Sequence, residues 1–130
     1  MMKRAAWITD IHLEFLQAEE ISSFFKSIRD LEPDVVLVEG DIGIASNLFH
    51  YLEKMEKELQ RPIYFVLGNH DFYGGSIKEI RLAAKDFSCR SRNVTYLAMG
   101  RIVELTLNTG LVGHTTRGEM ADMVTTTVQK

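Results

Sequence analysis

Cysteine and proline are scarce in this sequence, which has one cysteine, Cys89, and two prolines among its 130 residues. A lone cysteine cannot form a disulfide within the chain, so a reducing, cytoplasmic setting is expected. The longest apolar runs, such as residues 35–38, fall far short of the roughly 20 residues that a membrane helix needs. The N-terminus shows no long apolar core of a signal peptide. These absences predict a soluble protein that does not act in a membrane.

An excess of one charge is also missing, since the formal net charge is −3 and no long block of either sign occurs. A nucleic-acid-binding protein usually carries a concentrated basic surface, so no nucleic-acid partner is indicated. What is present is the balance of an ordinary globular domain, with 45% hydrophobic and 25% charged residues. One domain is therefore the starting expectation.

Short apolar runs alternate with segments of helical periodicity along the first 90 or so residues. Strands are predicted at residues 5–9, 35–38 and 63–67. Apolar residues recur at helical spacing after each of them, in the order Ile21, Phe24, Phe25 and Ile28, then Leu48, Leu52, Met55 and Leu59, then Ile77, Ile80, Ala84 and Phe87. Alternating strands and helices predict an α/β fold with a mostly parallel sheet and flanking helices.

The pattern changes after Asn93, where short strands are predicted at residues 94–97, 102–107 and 111–113 without intervening helices. Residues 115–130 are rich in threonine and show no clear hydrophobic periodicity. We therefore predict a domain over residues 1–114 and an irregular tail over residues 115–130.

A polar cluster follows each of the first three predicted strands. The clusters are Asp10-Ile11-His12, Gly40-Asp41 and Gly68-Asn69-His70-Asp71. In an open parallel sheet, ligands bind beyond the carboxyl ends of the strands, so the three clusters are expected to converge on one crevice. Each motif alone is weak, but their coincidence predicts a single site.

The residue types in these clusters are those of a metal centre. In an extended chain, Asp10 and His12 project to the same side and can reach one cation. The two carboxylate oxygens of Asp41 can bridge two cations, and Asn69 offers an amide oxygen to the second. Mixed carboxylate, imidazole and amide ligands suit Mn, Fe or Zn better than Ca or Mg. Two divalent metal ions of unassigned identity are therefore predicted as cofactors.

His70 is better placed as an acid than as a ligand, because the side chains of neighbouring residues diverge at a strand end. An imidazolium can protonate a leaving alkoxide or hydrogen-bond a phosphoryl group near neutral pH. Asp71 either orients His70 or caps the next segment. Such a site supports in-line attack on phosphorus by a metal-bound hydroxide.

These motifs, D-x-H, G-D and G-N-H-D in this order, resemble the first three signatures of the calcineurin-like metallophosphoesterases, over residues 7–113. The resemblance implies the first part of an α-β-β-α sandwich and hydrolysis of a phosphate ester. It also implies Asp10 and His12 on one metal, Asp41 bridging, Asn69 on the other metal and His70 as the acid that contacts the phosphate.

The chain departs from the family pattern in its later half. The family completes its site with further histidines and a final G-H-x-H signature, whereas the four histidines here are His12, His50, His70 and His114. His114 is interpreted as a strand-end residue, and two ligand positions are expected to be empty. Ile44 also stands where the protein phosphatase branch has an acid, so a small phosphate ester is the favoured substrate.

These departures suggest a truncated chain, with residues 115–130 as a candidate frameshifted end. Three hypotheses follow. The chain is a phosphoesterase; it is a catalytically incomplete remnant or metal-binding module; or a second copy or an adjacent polypeptide supplies the missing ligands. Without a second half, one face of the sheet is expected to be uncovered and prone to self-association.

Overall fold

The computed structural model describes residues 4–97, 102–106, 109–116 and 120–127. Seven strands and three α-helices follow one another along these residues. They are β1 (Ala5–Thr9), α1 (Ala18–Asp30), β2 (Val35–Glu39), α2 (Leu48–Leu59), β3 (Ile63–Val66), α3 (Ile77–Arg90), β4 (Val94–Tyr96), β5 (Ile102–Thr106), β6 (Thr109–Thr116) and β7 (Met120–Thr127). Single 3-10 turns at Leu13–Phe15 and His70–Phe72 follow β1 and β3.

The first sheet is parallel and has the strand order β1-β2-β3-β4. Because consecutive parallel strands are joined by crossovers of one hand, the connecting helices lie on the same face of the sheet. Val36 and Val38 of β2 pack into the helix-covered core, whereas Val35 and Leu37 point to the other face. This fold confirms the predicted α/β class and places the three strand ends along one edge.

The helices form where the apolar periodicity predicted them. Ile21, Phe25 and Ile28 form the buried face of α1. The first turn of α1 is closed by a capping box, in which the backbone N–H of Gln17 donates to Glu20 Oε1 over 3.0 Å. The buried face thus packs α1 into the core, and the capping box satisfies the backbone of its first turn.

The other face of the parallel sheet is covered by an antiparallel sheet of β5, β6 and β7. Leu111 of β6 is fully buried in a cluster with Val35, Leu37 and Val66. The expectation of an uncovered face is therefore wrong over β2 and β3. It holds at β1, which lies at one edge of the sheet and leaves Trp7 44% exposed.

The tail also differs from the expectation of irregular backbone, because β7 pairs with β6 from Thr109↔Thr127 to Thr116↔Met120. A domain boundary at residue 114 stays a prediction. Where the structure describes the chain, none of its helices combines the length and the apolar character needed to cross a membrane.

Candidate metal centre

The backbone turns sharply where β1 and β2 end. Asp10, His12 and Asp41 all have positive φ angles, of 51°, 42° and 49°. Residues other than glycine rarely adopt this left-handed conformation, and such strained residues cluster at functional sites. The extended geometry expected for Asp10 and His12 is therefore wrong, although the side chains still come together.

Asp10, His12 and Asp41 meet as the sequence predicted. One ligand atom from each of them lies within 4.8 Å of the others. The Nε2 atom of His12 is 4.0 Å from Asp41 Oδ2, a spacing that leaves room for a cation between them. Carboxylate oxygens with an imidazole nitrogen are a ligand set that Mn, Fe and Zn accept. The residues present therefore fit a divalent cation.

The electrostatics of the two carboxylates also fit a cation. Burial raises the pKa of Asp41, and the negative charge of Asp10 raises it further. The pKa of Asp10 is lowered, first by the Thr9 hydroxyl, which donates to Asp10 Oδ2 over 2.5 Å. Two carboxylates this close repel each other when both are ionised. A bound cation would remove that repulsion.

Close contact between the loops holds Asp41 in place. His12 N–H donates to Asp41 O over 2.9 Å, which joins the loop after β1 to the loop after β2. Gly68, after β3, lies so near that a Cβ there would be 2.3 Å from Asp41 Oδ1. A Cβ on Gly40 would in turn lie 2.8 Å from Gly68 N. Only glycine allows this approach, so the glycines of G-D and G-N-H-D have a steric role.

Asp71 joins the same two loops through its side chain and is completely buried. Its Oδ1 accepts from the backbone N–H groups of Ile42 and Gly43 over 2.9 and 3.1 Å, and its Oδ2 accepts from Gly68 N–H over 2.9 Å. Burial raises the pKa of Asp71 to about 6, and the three N–H donors oppose that rise. Ser76, rather than Asp71, caps α3. Asp71 thus clamps the loop after β2 to the loop after β3.

His70 lies beside the cluster. Its backbone N–H donates to Asp41 Oδ1 over 3.0 Å. Its ring stacks on Tyr73, with centroids 4.5 Å apart, and meets the His12 ring edge-on at 4.6 Å. The structure therefore places the His70 ring beside His12 and its backbone against Asp41, while its role as an acid stays a prediction.

Asn69 is exposed and lines a cleft of about 340 Å³ together with Phe72, Tyr73, Gly75 and Ile77. Its position next to His70 keeps it at the same edge of the sheet, while its role as a ligand stays a prediction. The backbone of His114 lies in β6, and its side chain falls outside the described residues.

Glu14 belongs to the site and was missed in the sequence. Its Oε1 lies 3.4 Å from His12 Nδ1 and 3.9 Å from His70 Nδ1. A signal for it exists in the alternation of Asp10, His12 and Glu14 with apolar residues, which continues the D-x-H motif by one step. The 3-10 turn that follows His12 carries Glu14 back towards both rings.

Comparison with known proteins gives the family. The family model described as calcineurin-like phosphoesterase matches residues 3–118, which is most of the chain. The chain therefore belongs to the calcineurin-like phosphoesterase family, a lineage of metal-dependent hydrolases of phosphate esters that usually bind divalent metals. A search of curated proteins found no match.

Proposed function

We propose that this protein hydrolyses a small phosphate ester with two divalent cations, Mn, Fe or Zn, at the strand-end site. The observation that carries the proposal is the convergence of Asp10, His12 and Asp41 at the ends of adjacent parallel strands. In this assignment Asp10 and His12 would hold one cation, Asn69 would hold the other, and Asp41 would be a ligand shared by both. When bound, such cations activate water and neutralise the charge on phosphate.

His70 is the proposed catalytic acid. Stacking on Tyr73 restricts rotation of its ring, and the hydrogen bond from its backbone N–H to Asp41 fixes its main chain. An imidazole held beside the cation ligands can give a proton to the leaving alkoxide. The proton thus moves from a ring nitrogen of His70 to the ester oxygen as the P–O bond breaks.

The cleft beside Asn69 is the proposed place for the organic part of the substrate. Its walls combine the polar Asn69 with the rings of Phe72 and Tyr73. A volume of about 340 Å³ lies near the lower end of the range for small-molecule sites. With a net charge of −3, the chain offers little electrostatic attraction to a nucleic acid. The proposal therefore names a small phosphate ester as the substrate, and it assigns the activity to the cytoplasm.

The test is hydrolysis of a chromogenic phosphomonoester and phosphodiester by the purified chain with Mn²⁺. Asp41→Asn removes a charge from the shared ligand and is expected to lower kcat/KM by more than about 100-fold, above the usual effect of outer-shell residues. Glu53→Gln, on the exposed face of α2, is the matched control and keeps full activity.

Turnover that is lost in Asp41→Asn and kept in Glu53→Gln supports the proposal. A folded, Mn-loaded chain without turnover would overturn it in favour of a metal-binding module. Gel filtration of the active fraction tells whether one copy suffices or a second copy completes the site.

A further inference from the structure

Glu14 has an unusual environment for a carboxylate. Its side chain is only 12% exposed, and neither Oε1 nor Oε2 has a hydrogen-bond partner. An ionised carboxylate shielded from water without donors costs several kcal/mol, so such a group is normally paired. The Glu14 carboxylate therefore needs hydrogen-bond donors, which would align with it when the site binds its metal.

Two imidazoles lie next to Glu14. His12 Nδ1 is itself buried without a partner, 3.4 Å from Glu14 Oε1, and His70 Nδ1 is 3.9 Å from the same oxygen. Both separations exceed a hydrogen bond by less than about 1 Å, and a small rotation of either ring shortens them. Burial raises the pKa of the Tyr51 phenol on α2, and the charge of Glu14 adds to that rise.

We propose that Glu14 is a positioning residue that accepts hydrogen bonds from the Nδ1–H groups of both His12 and His70. This inference rests on the proposed function, because it assigns the nitrogens of two residues placed in that site. With the proton fixed on Nδ1, the Nε2 atom of His12 has its lone pair free for a cation. A carboxylate that orients a metal-binding histidine in this way is a common arrangement.

The orientation of His12 supports this assignment. Its Nε2 faces Asp41 Oδ2 at 4.0 Å, whereas its Nδ1 faces Glu14. The two ring nitrogens of His12 thus face two different carboxylates. For His70, the same acceptor and the stack on Tyr73 restrain the ring from two sides.

A rival assignment makes Glu14 a ligand itself, since His12, Glu14 and His70 also bring ligand atoms within 4.8 Å of one another. That arrangement would use His12 Nδ1 for a cation and leave His12 Nε2 beside Asp41 without a role. The positioning role uses both nitrogens, and we therefore favour it. Metal stoichiometry separates the two assignments.

The experiment combines histidine NMR with Mn²⁺ binding. Long-range ¹H–¹⁵N spectra of the metal-free chain at pH 8.5 tell whether Nδ1 or Nε2 carries the proton in each ring. The wild-type chain is expected to show the Nδ1–H form at both His12 and His70. This part needs no variant, reads no catalytic activity and stays informative even if the proposed hydrolysis fails.

Variants then test the cause. Glu14→Met keeps the approximate shape but removes both acceptor oxygens, so both rings should lose the Nδ1–H preference and Mn²⁺ affinity should fall about 10- to 100-fold with unchanged stoichiometry. Glu14→Gln keeps one acceptor and should recover part of the affinity. Glu53→Met, a matched change on the exposed face of α2, should alter neither reading.

Three outcomes would overturn the proposal. The first is a wild-type spectrum with Nε2–H at both rings. The second is a Glu14→Met chain with unchanged tautomers and Mn²⁺ affinity. The third is the loss of a whole equivalent of Mn²⁺ in Glu14→Met, which would make Glu14 a ligand. Hydrolysis without the predicted tautomers would separate failure of this inference from failure of the proposed function.

Discussion

The turn after β1 and the loop after β3 each place a shielded carboxylate beside the candidate metal centre, but only the carboxylate after β3 has hydrogen-bond donors. Asp71, in the loop after β3, accepts from the backbone N–H groups of Ile42, Gly43 and Gly68. Glu14, in the turn after β1, has no hydrogen-bond donor and faces two imidazoles. We therefore interpret Asp71, whose hydrogen bonds come from the backbone, as a structural residue, and Glu14, which faces two histidine side chains, as a residue of the metal centre.

Asp71→Asn tests the structural role of Asp71 and is expected to have the largest effect on stability. The amide nitrogen of asparagine cannot accept from Gly68 N–H, which leaves a buried donor unpaired. We expect the free energy of unfolding to fall by about 3 kcal/mol at pH 5. Urea denaturation in a chelator measures it. Asp86→Asn, at an exposed ion pair, should change the value by less than about 0.5 kcal/mol.

The pH dependence of the free energy of unfolding, compared between wild type and Asp71→Asn, tests whether burial raises the pKa of Asp71. Burial raises the pKa of Asp71 from 3.8 to about 6, so the folded chain binds more protons than the unfolded chain between these values. The stabilising contribution is complete below about pH 4 and is lost as the pH rises through about 6. The difference in the free energy of unfolding between wild type and Asp71→Asn should therefore narrow by roughly 2 kcal/mol from pH 4 to pH 7. A gap that widens over this range would contradict the assignment.

Gly68→Ala tests whether the packing of the loop after β3 affects metal binding at Asp41. The new Cβ would lie 2.3 Å from Asp41 Oδ1 and 2.7 Å from Asp41 N, so the ligand or the loop must move. We expect a loss of about 2 kcal/mol in stability and weaker Mn²⁺ binding. Gly74→Ala is the control, because Gly74 has a positive φ of 83° but open space around it. It should cost about 1 kcal/mol and leave Mn²⁺ binding intact; equal Mn²⁺ affinities in the two variants would refute the coupling.

Among the substitutions at the site, the smallest loss of stability is expected for Glu14→Gln. No existing hydrogen bond is lost, and a shielded charge is replaced by a neutral amide of the same shape. The free energy of unfolding in a chelator should fall by less than about 1 kcal/mol or should rise, because the substitution removes a shielded charge that has no donor. A loss as large as that of Asp71→Asn would show that Glu14 is structural and would end the contrast between the two carboxylates.

The first three strand–helix units could be predicted because their signals are local. A strand is specified by the apolar run at residues 35–38, and α1 and α2 are specified by their apolar repeats. Each of these signals lies within one short stretch of sequence. In the second sheet, β5 and β6 overlap the strands predicted at residues 102–107 and 111–113, whereas β7 was missed because its pairing with β6, as at Thr109↔Thr127, is not encoded in its own stretch of sequence. The threonine-rich stretch of β7 offers no alternation that would reveal a buried face.

The site shows the same division. Asp10, His12 and Asp41 were predicted to converge because parallel strands end at one edge. Glu14 was missed, and the conformations of Asp10 and His12 were predicted wrongly, because the left-handed turns that bring Glu14 back to the rings arise from contacts between loops. Spacing along one segment carries no information about such contacts.

The most direct test of the central claim is Mn²⁺ binding by isothermal titration calorimetry to wild type and Asp41→Asn, with Asp86→Asn as the surface control. We expect saturable binding by wild type and the control, and affinity at least about 10-fold weaker in Asp41→Asn. Equal affinity and stoichiometry in all three chains would contradict the account, because the strand-end cluster would then not be the metal centre.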